Sequence, residues 1–466
     1  MMRALYDSKS KSMNDRGIKY LLTNEAKYQA WLDVEAALAK AQAAFGIIPS
    51  GAAKNIGLAC KLENLDLEQM EIIQQKIGHG FVPFLKVLVK ACDKESGKYI
   101  HYGVTTQNIQ QTAQLLLMKR IHDKFLEVVG EILQNLAKLA EENKDTILPG
   151  RTHGKHAIPI TYGYKVSVWI SELLASVERM EEVQKRVFNV MMGGAVGAFN
   201  SSGKVGRKVQ DRVAELLNMY SMDIPSRNIS THKVEYIMNL SLLASTFHKI
   251  AEEVYYTSIE EFGEVSEKFQ SGTVGSSTMP HKINPKLSKG IIANSQKLYS
   301  LVSMGLYSCP RPFEGDSTSY MLFDATLEEA LSLTTEILLR GEELTRTLTI
   351  NKENMYKNVL LNNGLDNSEY VMMEIARKLG KDEAHSLVYQ LVMKSYLEGR
   401  NYFDVLSENP IIADAFTEEQ IREMLDPKNY IGLSTQLAEE FSLKAINASK
   451  SIQEKNYSSC LVASNK

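Results

Sequence analysis

Cysteine is scarce in this chain. Cys60, Cys92, Cys309 and Cys460 stand far apart among 466 residues, with no CxxC spacing. That excludes a disulfide framework or a structural zinc site and points to a reducing cytoplasm. Neither sign of charge dominates: 53 basic residues face 56 acidic ones, for a net charge of −3. Such a balance exerts no long-range pull on nucleic acid or an anionic membrane. No run of about 18 apolar residues occurs, so no membrane span is expected. The start, "MMRALYDSKSKSMNDRG", has no apolar centre and does not read as a secretory signal. Proline is also sparse, with 11 residues, which leaves long stretches free to be helical.

Those stretches carry the period of a helix. Apolar residues recur every three or four positions through Met118, Ile121, Phe125, Val128, Ile132, Leu136 and Leu139. A second stripe runs through Val166, Ile170, Leu173, Val177, Met180, Val187 and Val190. Residues 233–262 and 286–306 repeat the pattern, and residues 25–45 are rich in helix formers. Helices this long must lie side by side to bury their stripes, so the chain reads as all-α around a central long-helix bundle. Turn-forming residues near 95 and 350 suggest three helical domains: 1–100, 101–350 with the bundle, and 351–466.

Three polar stretches interrupt the helices: "HYGVTTQNIQQT" at 101–112, "GRTHGKHAIPITYG" at 150–163, and "GTVGSSTMPHKINP" at 272–285. Taken singly, each is a turn, and a lone histidine such as His122, His248 or His385 reads as an ordinary helix residue. His153 and His156 lack a third ligand at suitable spacing, so no metal site is expected. The glycine-rich run at 193–206 fails as a phosphate loop, because Gly203-Lys204 is followed by Val205 and no strand precedes it. Taken together, the three stretches suit a β-elimination. Ser276 and Ser277 sit in a glycine-bounded turn that could close over a substrate. Lys282 and Asn284 offer a cation and amide donors to a carboxylate that gains charge. Thr105, Thr106 and Asn108 can donate to a second carboxylate, and His153 can protonate a leaving group near neutral pH.

"GSSTMPHKINP" closely resembles the GSSxMPxKxNP signature of the fumarase, aspartase and adenylosuccinate lyase superfamily. "HYGVTTQNIQQT" is similar to its HxGxTSxD segment, and "GRTHGKHAIPITYG" to its GRTHxxxAxPxTxG segment. The two ends of the chain resemble the branch that holds adenylosuccinate lyases and 3-carboxy-cis,cis-muconate cycloisomerases. The resemblance implies a homotetramer with a 20-helix core and active sites shared between subunits. It further implies a small dicarboxylate substrate, release of fumarate and no cofactor. It gives Ser276 the role of base and His153 that of acid. Substrate-binding roles fall to His79, His101, Thr105, Thr106, Asn108, Thr152, Ser277, Met279, Lys282 and Asn284.

The chain departs from its branch in three places. Ile229, Ser230, Thr231 and His232 stand where those enzymes have a Gln-Arg-Asp-Arg run, leaving Arg227, His232 or Lys233 as candidate substitutes. Gly315 replaces an arginine between Glu314 and Asp316, and Asp324 occupies the place of a phosphate-binding arginine. An aspartate repels a phosphate and suits an amine or guanidine. Lys289 stands where many relatives have a glutamate that orients the acid histidine; lysine cannot accept that hydrogen bond, which leaves His156 as a fallback acid. Against the cycloisomerase branch stands His153, where that branch usually has tryptophan. The expectation is therefore an adenylosuccinate lyase-like reaction, with a cycloisomerase or a lyase for a non-nucleotide, possibly cationic, N-succinyl compound as alternatives.

Overall fold

A computed structural model describes residues 13–268, 276, 278–279 and 281–464. The expected all-α architecture is present. Five helices open the chain: α1 (Ile18–Leu21), α2 (Asn24–Ala44), α3 (Ser50–Ala59), α4 (Leu67–Ile77) and α5 (Val82–Ala91). The long helices follow: α6 (Thr106–Glu142), α7 (Tyr162–Val187), α8 (Gly206–Leu217), α9 (Thr231–Thr257), α10 (Lys286–Tyr307) and α11 (Ser317–Thr347). Then come α12 (Lys352–Val359), α13 (Ser368–Leu379), α14 (Lys381–Glu398), α15 (Tyr402–Ser407), α16 (Pro410–Ala415), α17 (Glu418–Leu425) and α18 (Ser434–Ser464).

Local chemistry sets several of the helix starts. Thr23 and Thr161 each accept a backbone N–H from three residues on, beginning α2 and α7. Asp316 accepts the N–H of Thr318, two residues on, at the start of α11. The stripe read from the sequence in α6 is buried at all seven positions, from Met118 to Leu139. One continuous core runs from Ile18 to Met355 and takes in Ala445 and Ile452 of α18, which packs back onto α6 and α7. A second, separate core spans Val371 to Met424. Among the described residues, no helix is long and apolar enough to cross a membrane.

Strands are few and serve the loops. β1 (Ile147–Thr152) and β2 (Lys155–Thr161) form an antiparallel hairpin. β3 (Asn189–Val190) and β4 (Tyr220–Ser221) pair in parallel, and β5 (Val265–Ser266) pairs antiparallel with β6 (Thr349–Ile350).

The direction of the bundle helices decides where the polar loops lie. Gln114, near the start of α6, bonds Lys233 near the start of α9 and Asp324 near the start of α11. Asn135, about six turns further on, reaches Glu342 and Thr345 near the end of α11. So α6, α9 and α11 run the same way. The 37 residues of α6 span about 55 Å at a rise of about 1.5 Å per residue. The β1–β2 hairpin follows the far end.

Candidate active site

Near the start of α6, four of the expected residues are interlocked. His101 adopts a positive φ of 58°. Its Nδ1 meets Glu35 Oε1 at 2.7 Å, and its backbone N–H donates to Glu35 Oε2 at 3.2 Å. Glu35 is buried. The carboxylate accepts a hydrogen bond from Nδ1–H, which assigns that tautomer and leaves Nε2 facing away from it. The ring also lies 5.4 Å from Phe81, whose backbone N–H donates to His79 Nδ1 at 3.1 Å, as does that of Val82. His79 Nδ1 is therefore an acceptor, and the exposed imidazole presents Nε2–H as a donor. Asn108 Oδ1 accepts from Thr105 N at 3.0 Å and from Gly194 N at 3.1 Å, tying the start of α6 to the glycine-rich run. Thr106 is the first residue of α6.

His153 lies at the tip of the hairpin, at the other end of the bundle. His153 and Gly154 both have positive φ, 52° and 73°, the pattern of a two-residue type I′ turn. Thr152 pairs with Lys155 across it. Two contacts hold the hairpin one residue pair below its tip, at Arg151 and His156. Arg151 Nη1 donates to Glu264 Oε2 at 3.0 Å, its Nη2 donates to Glu264 Oε1, and its guanidinium lies 5.2 Å from the centre of the Phe262 ring. His156 Nδ1 faces Asp366 Oδ2 at 3.4 Å, where burial raises the Asp366 carboxyl. His156 thus turns back into the protein, whereas His153 points outward and is exposed.

The serine loop belongs to the hairpin end as well. Glu264 leads into β5, which pairs with β6 beyond the end of α11. Glu267 then accepts from Leu287 N (2.9 Å), Ser288 N (2.7 Å) and Ser288 Oγ (2.7 Å), capping the start of α10. Ser276 Oγ accepts from Met279 N at 3.1 Å and from Thr278 N at 3.4 Å. Lys282 and Met279 are exposed and Asn284 is half-buried. Ser277 lies outside the described residues. Lys289 sits on the exposed side of the first turn of α10.

The structure therefore brings His79, His101, Thr105, Thr106 and Asn108 together at one end. It puts His153, Thr152, Ser276, Met279, Lys282 and Asn284 at the other. Several partners went unread in the sequence. Glu35 had one signal, a carboxylate among the buried positions Val34, Ala37 and Leu38. Glu264, Glu267 and Asp366 had none, because the partners named above lie 20 to 210 residues away in the chain.

The departures now have neighbours. Gly315 lies against Arg227: a Cβ there would come within 2.7 Å of Arg227 Cζ, so this guanidinium fills the space beside the glycine. His232 is held neutral, pushed down to about 3 by burial and by Lys233 and Arg311. Lys233 is 2% exposed, and burial brings it down to about 8. Asp324 Oδ1 accepts from Gln114 Nε2 at 2.8 Å.

A long-helix bundle with these three polar loops defines a lyase. Residues 10–297 match the family described as Lyase, and the chain belongs to it. Residues 364–441 match the Adenylosuccinate lyase C-terminus. The chain is similar to adenylosuccinate lyase of Methanocaldococcus jannaschii, with 36% identity over 89% of this chain and 91% of that protein. It is also similar to N-acetyl-S-(2-succino)cysteine lyase of Enterococcus italicus, with 33% identity over 91% and 93% of the two chains. The fold superposes on the 3-carboxy-cis,cis-muconate lactonizing enzyme of Pseudomonas putida with a TM-score of 0.85 at 26% identity, covering 97% of this chain and all of that one.

Proposed function

We propose that this protein is a fumarate-releasing carbon–nitrogen lyase of the adenylosuccinate lyase type. A base removes the proton next to one carboxylate of a succinyl group. The electron pair forms the double bond of fumarate. The bond to the leaving atom breaks, that atom keeps the bonding pair, and an acid gives it a proton. Ser276 is the base: its oxygen already faces two backbone N–H groups, which stabilise the negative charge it carries once deprotonated. His153 is the acid. Lys282 and Asn284 hold the carboxylate that gains charge, and Thr152, Ser277 and Met279 are further substrate-binding residues. His79, His101, Thr105, Thr106 and Asn108 bind the rest of the substrate.

The observation that carries the reading is the identity of about a third, over about nine-tenths of the chain, to adenylosuccinate lyases, together with the three motif loops. The separation along α6 supports a further point. One chain cannot close a site from groups about 55 Å apart. Copies of the chain must share sites, as in a homotetramer. Exposed Met238, Leu242, Met304 and Leu306 on α9 and α10 offer apolar surface for that assembly. Cysteine usage supports a cytoplasmic setting.

The test is fumarate formation, with adenylosuccinate as the reference substrate. Ser276→Ala should lower kcat by about 10³-fold or more with the fold intact. Turnover within tenfold of wild type would remove Ser276 as the base. Light scattering that shows a monomer at micromolar concentration would refute the shared site.

A further inference from the structure

Lys233 is a buried cation with little to neutralise it. Its Nζ donates to Gln114 Oε1 at 3.0 Å and lies 5.3 Å from the centre of the Phe323 ring. Among the described residues, no carboxylate stands within ion-pair distance of it, because Gln114 intervenes before Asp324. Arg311 is close by and also lacks an acidic partner. Its Nε and Nη1 donate to the carbonyls of Ser308 and Arg227, it stacks 4.2 Å from the Tyr320 ring, and its Nη2 is buried with no hydrogen-bond partner. The charge of Asp324 reaches both cations, but no carboxylate touches either, so they stay under-neutralised unless something anionic occupies the space beside them.

That space exists. Lys233 and Arg311 line a cleft of about 490 Å³ between α2, α6, α9 and α11. Gly80, next to His79, and Gln107, next to Thr106, share its wall, so it opens beside the groups proposed to bind substrate. Trp31 and Lys27 also line it, and Asp324 and Glu328 stand exposed at its edge, where their charges act on Lys27. The cations suit one anionic group. The two edge carboxylates outnumber Lys27 there and oppose a phosphate dianion, whose second charge they would repel.

We propose that this cleft is a leaving-group subsite for a carboxylate, with Lys233 and Arg311 as specificity-determining residues. The substrate is then a 2-succinyl adduct of an amino acid or N-acyl amino acid, linked through nitrogen or sulfur, and not a nucleotide. This rests on the fumarate-releasing lyase reading above; a nitrogen link keeps the carbon–nitrogen assignment and a sulfur link replaces it. Asp324 becomes a group that, through Gln114, holds the subsite in place and turns phosphate away.

The purified full-length protein is assayed for fumarate release from adenylosuccinate, argininosuccinate, S-(2-succino)cysteine, N-acetyl-S-(2-succino)cysteine and S-(2-succino)cysteamine. The last has no leaving-group carboxylate. The expected result is a kcat/KM at least 100-fold higher for one of the amino-acid adducts than for adenylosuccinate. The nitrogen- and sulfur-linked members then report the leaving atom. Removing the carboxylate should lower kcat/KM at least 30-fold. Lys233→Gln should cause the same loss through KM on the carboxylated substrate, with little change on the cysteamine adduct. Asp324→Asn should raise activity on adenylosuccinate. Preference for adenylosuccinate, or indifference to the carboxylate, overturns the subsite and leaves the lyase reading standing. No fumarate from any member overturns both. If Lys233→Gln does not fold, titrating the wild-type protein with N-acetylcysteine and with AMP while following Trp31 fluorescence decides the matter. Tighter binding of AMP overturns the proposal.

Discussion

Replacing Glu264 with alanine should loosen the hairpin that carries His153. Glu264 is fully buried. It accepts two bonds from Arg151 and one from Asn358 Nδ2 at 2.9 Å, while its own carbonyl accepts from Asn351 N at 2.9 Å. Glu264→Ala strips the guanidinium of its carboxylate and leaves it against Phe262. Breaking a buried pair in this way costs about 3–5 kcal/mol. The Arg151 side chain keeps 17% exposure and regains some water, which puts the expectation near 3 kcal/mol. In hydrogen exchange that is roughly a hundredfold faster opening of amides in residues 147–161, with the bundle amides of α6 unchanged. Arg151→Met combined with Glu264→Met removes both charges and should recover most of the protection. Fumarate release should fall with the single substitution and recover in part with the double one. If exchange in Glu264→Ala stays within threefold of wild type, the hairpin is held by something other than this pair, and the reasoning fails.

Three further outcomes are expected. His122 is buried between Phe188 and Tyr236, and burial pushes it down to about 3. The unfolded chain gains a proton there as pH falls below about 6.5, while the folded one does not, so stability is lost from pH 6.5 downward, by as much as roughly 5 kcal/mol at pH 3. His122→Gln should flatten that limb in urea titrations, and an unchanged pH slope would refute it. Glu35→Gln should lower kcat/KM by about 10²-fold, through misplacement of His101, with a melting temperature close to wild type; a loss of stability in place of activity would make Glu35 a packing residue only. Lys233 loses its proton through about pH 8, so KM for a carboxylated leaving group should rise above that pH, and a flat KM to pH 9.5 would count against its role.

The local elements were legible because they depend on neighbours in the chain. The seven apolar positions of α6 bury as the helical period requires, and the start of α7 is set by Thr161, three residues before the N–H it accepts. The motif loops were legible for a different reason. They carry a resemblance to the lyase family, whose model matches residues 10–297. The sequence also showed that arginines were missing near 229, 315 and 324. It did not show what fills their places, because Arg227 meets Gly315 only through a turn 88 residues away in the chain, and Asp324 meets Gln114 across 210 residues.

Sequence alone determined the helices, the polar loops between them and the family to which they belong. Tertiary structure alone decided that these loops occupy opposite ends of a bundle, that Glu35 orients His101, and that Lys233 and Arg311 share one cleft. The physical reason is reach. Helical period, caps and turns act over a few residues, whereas the partners of a buried charge are chosen by how whole helices pack, and no spacing along the chain records that choice.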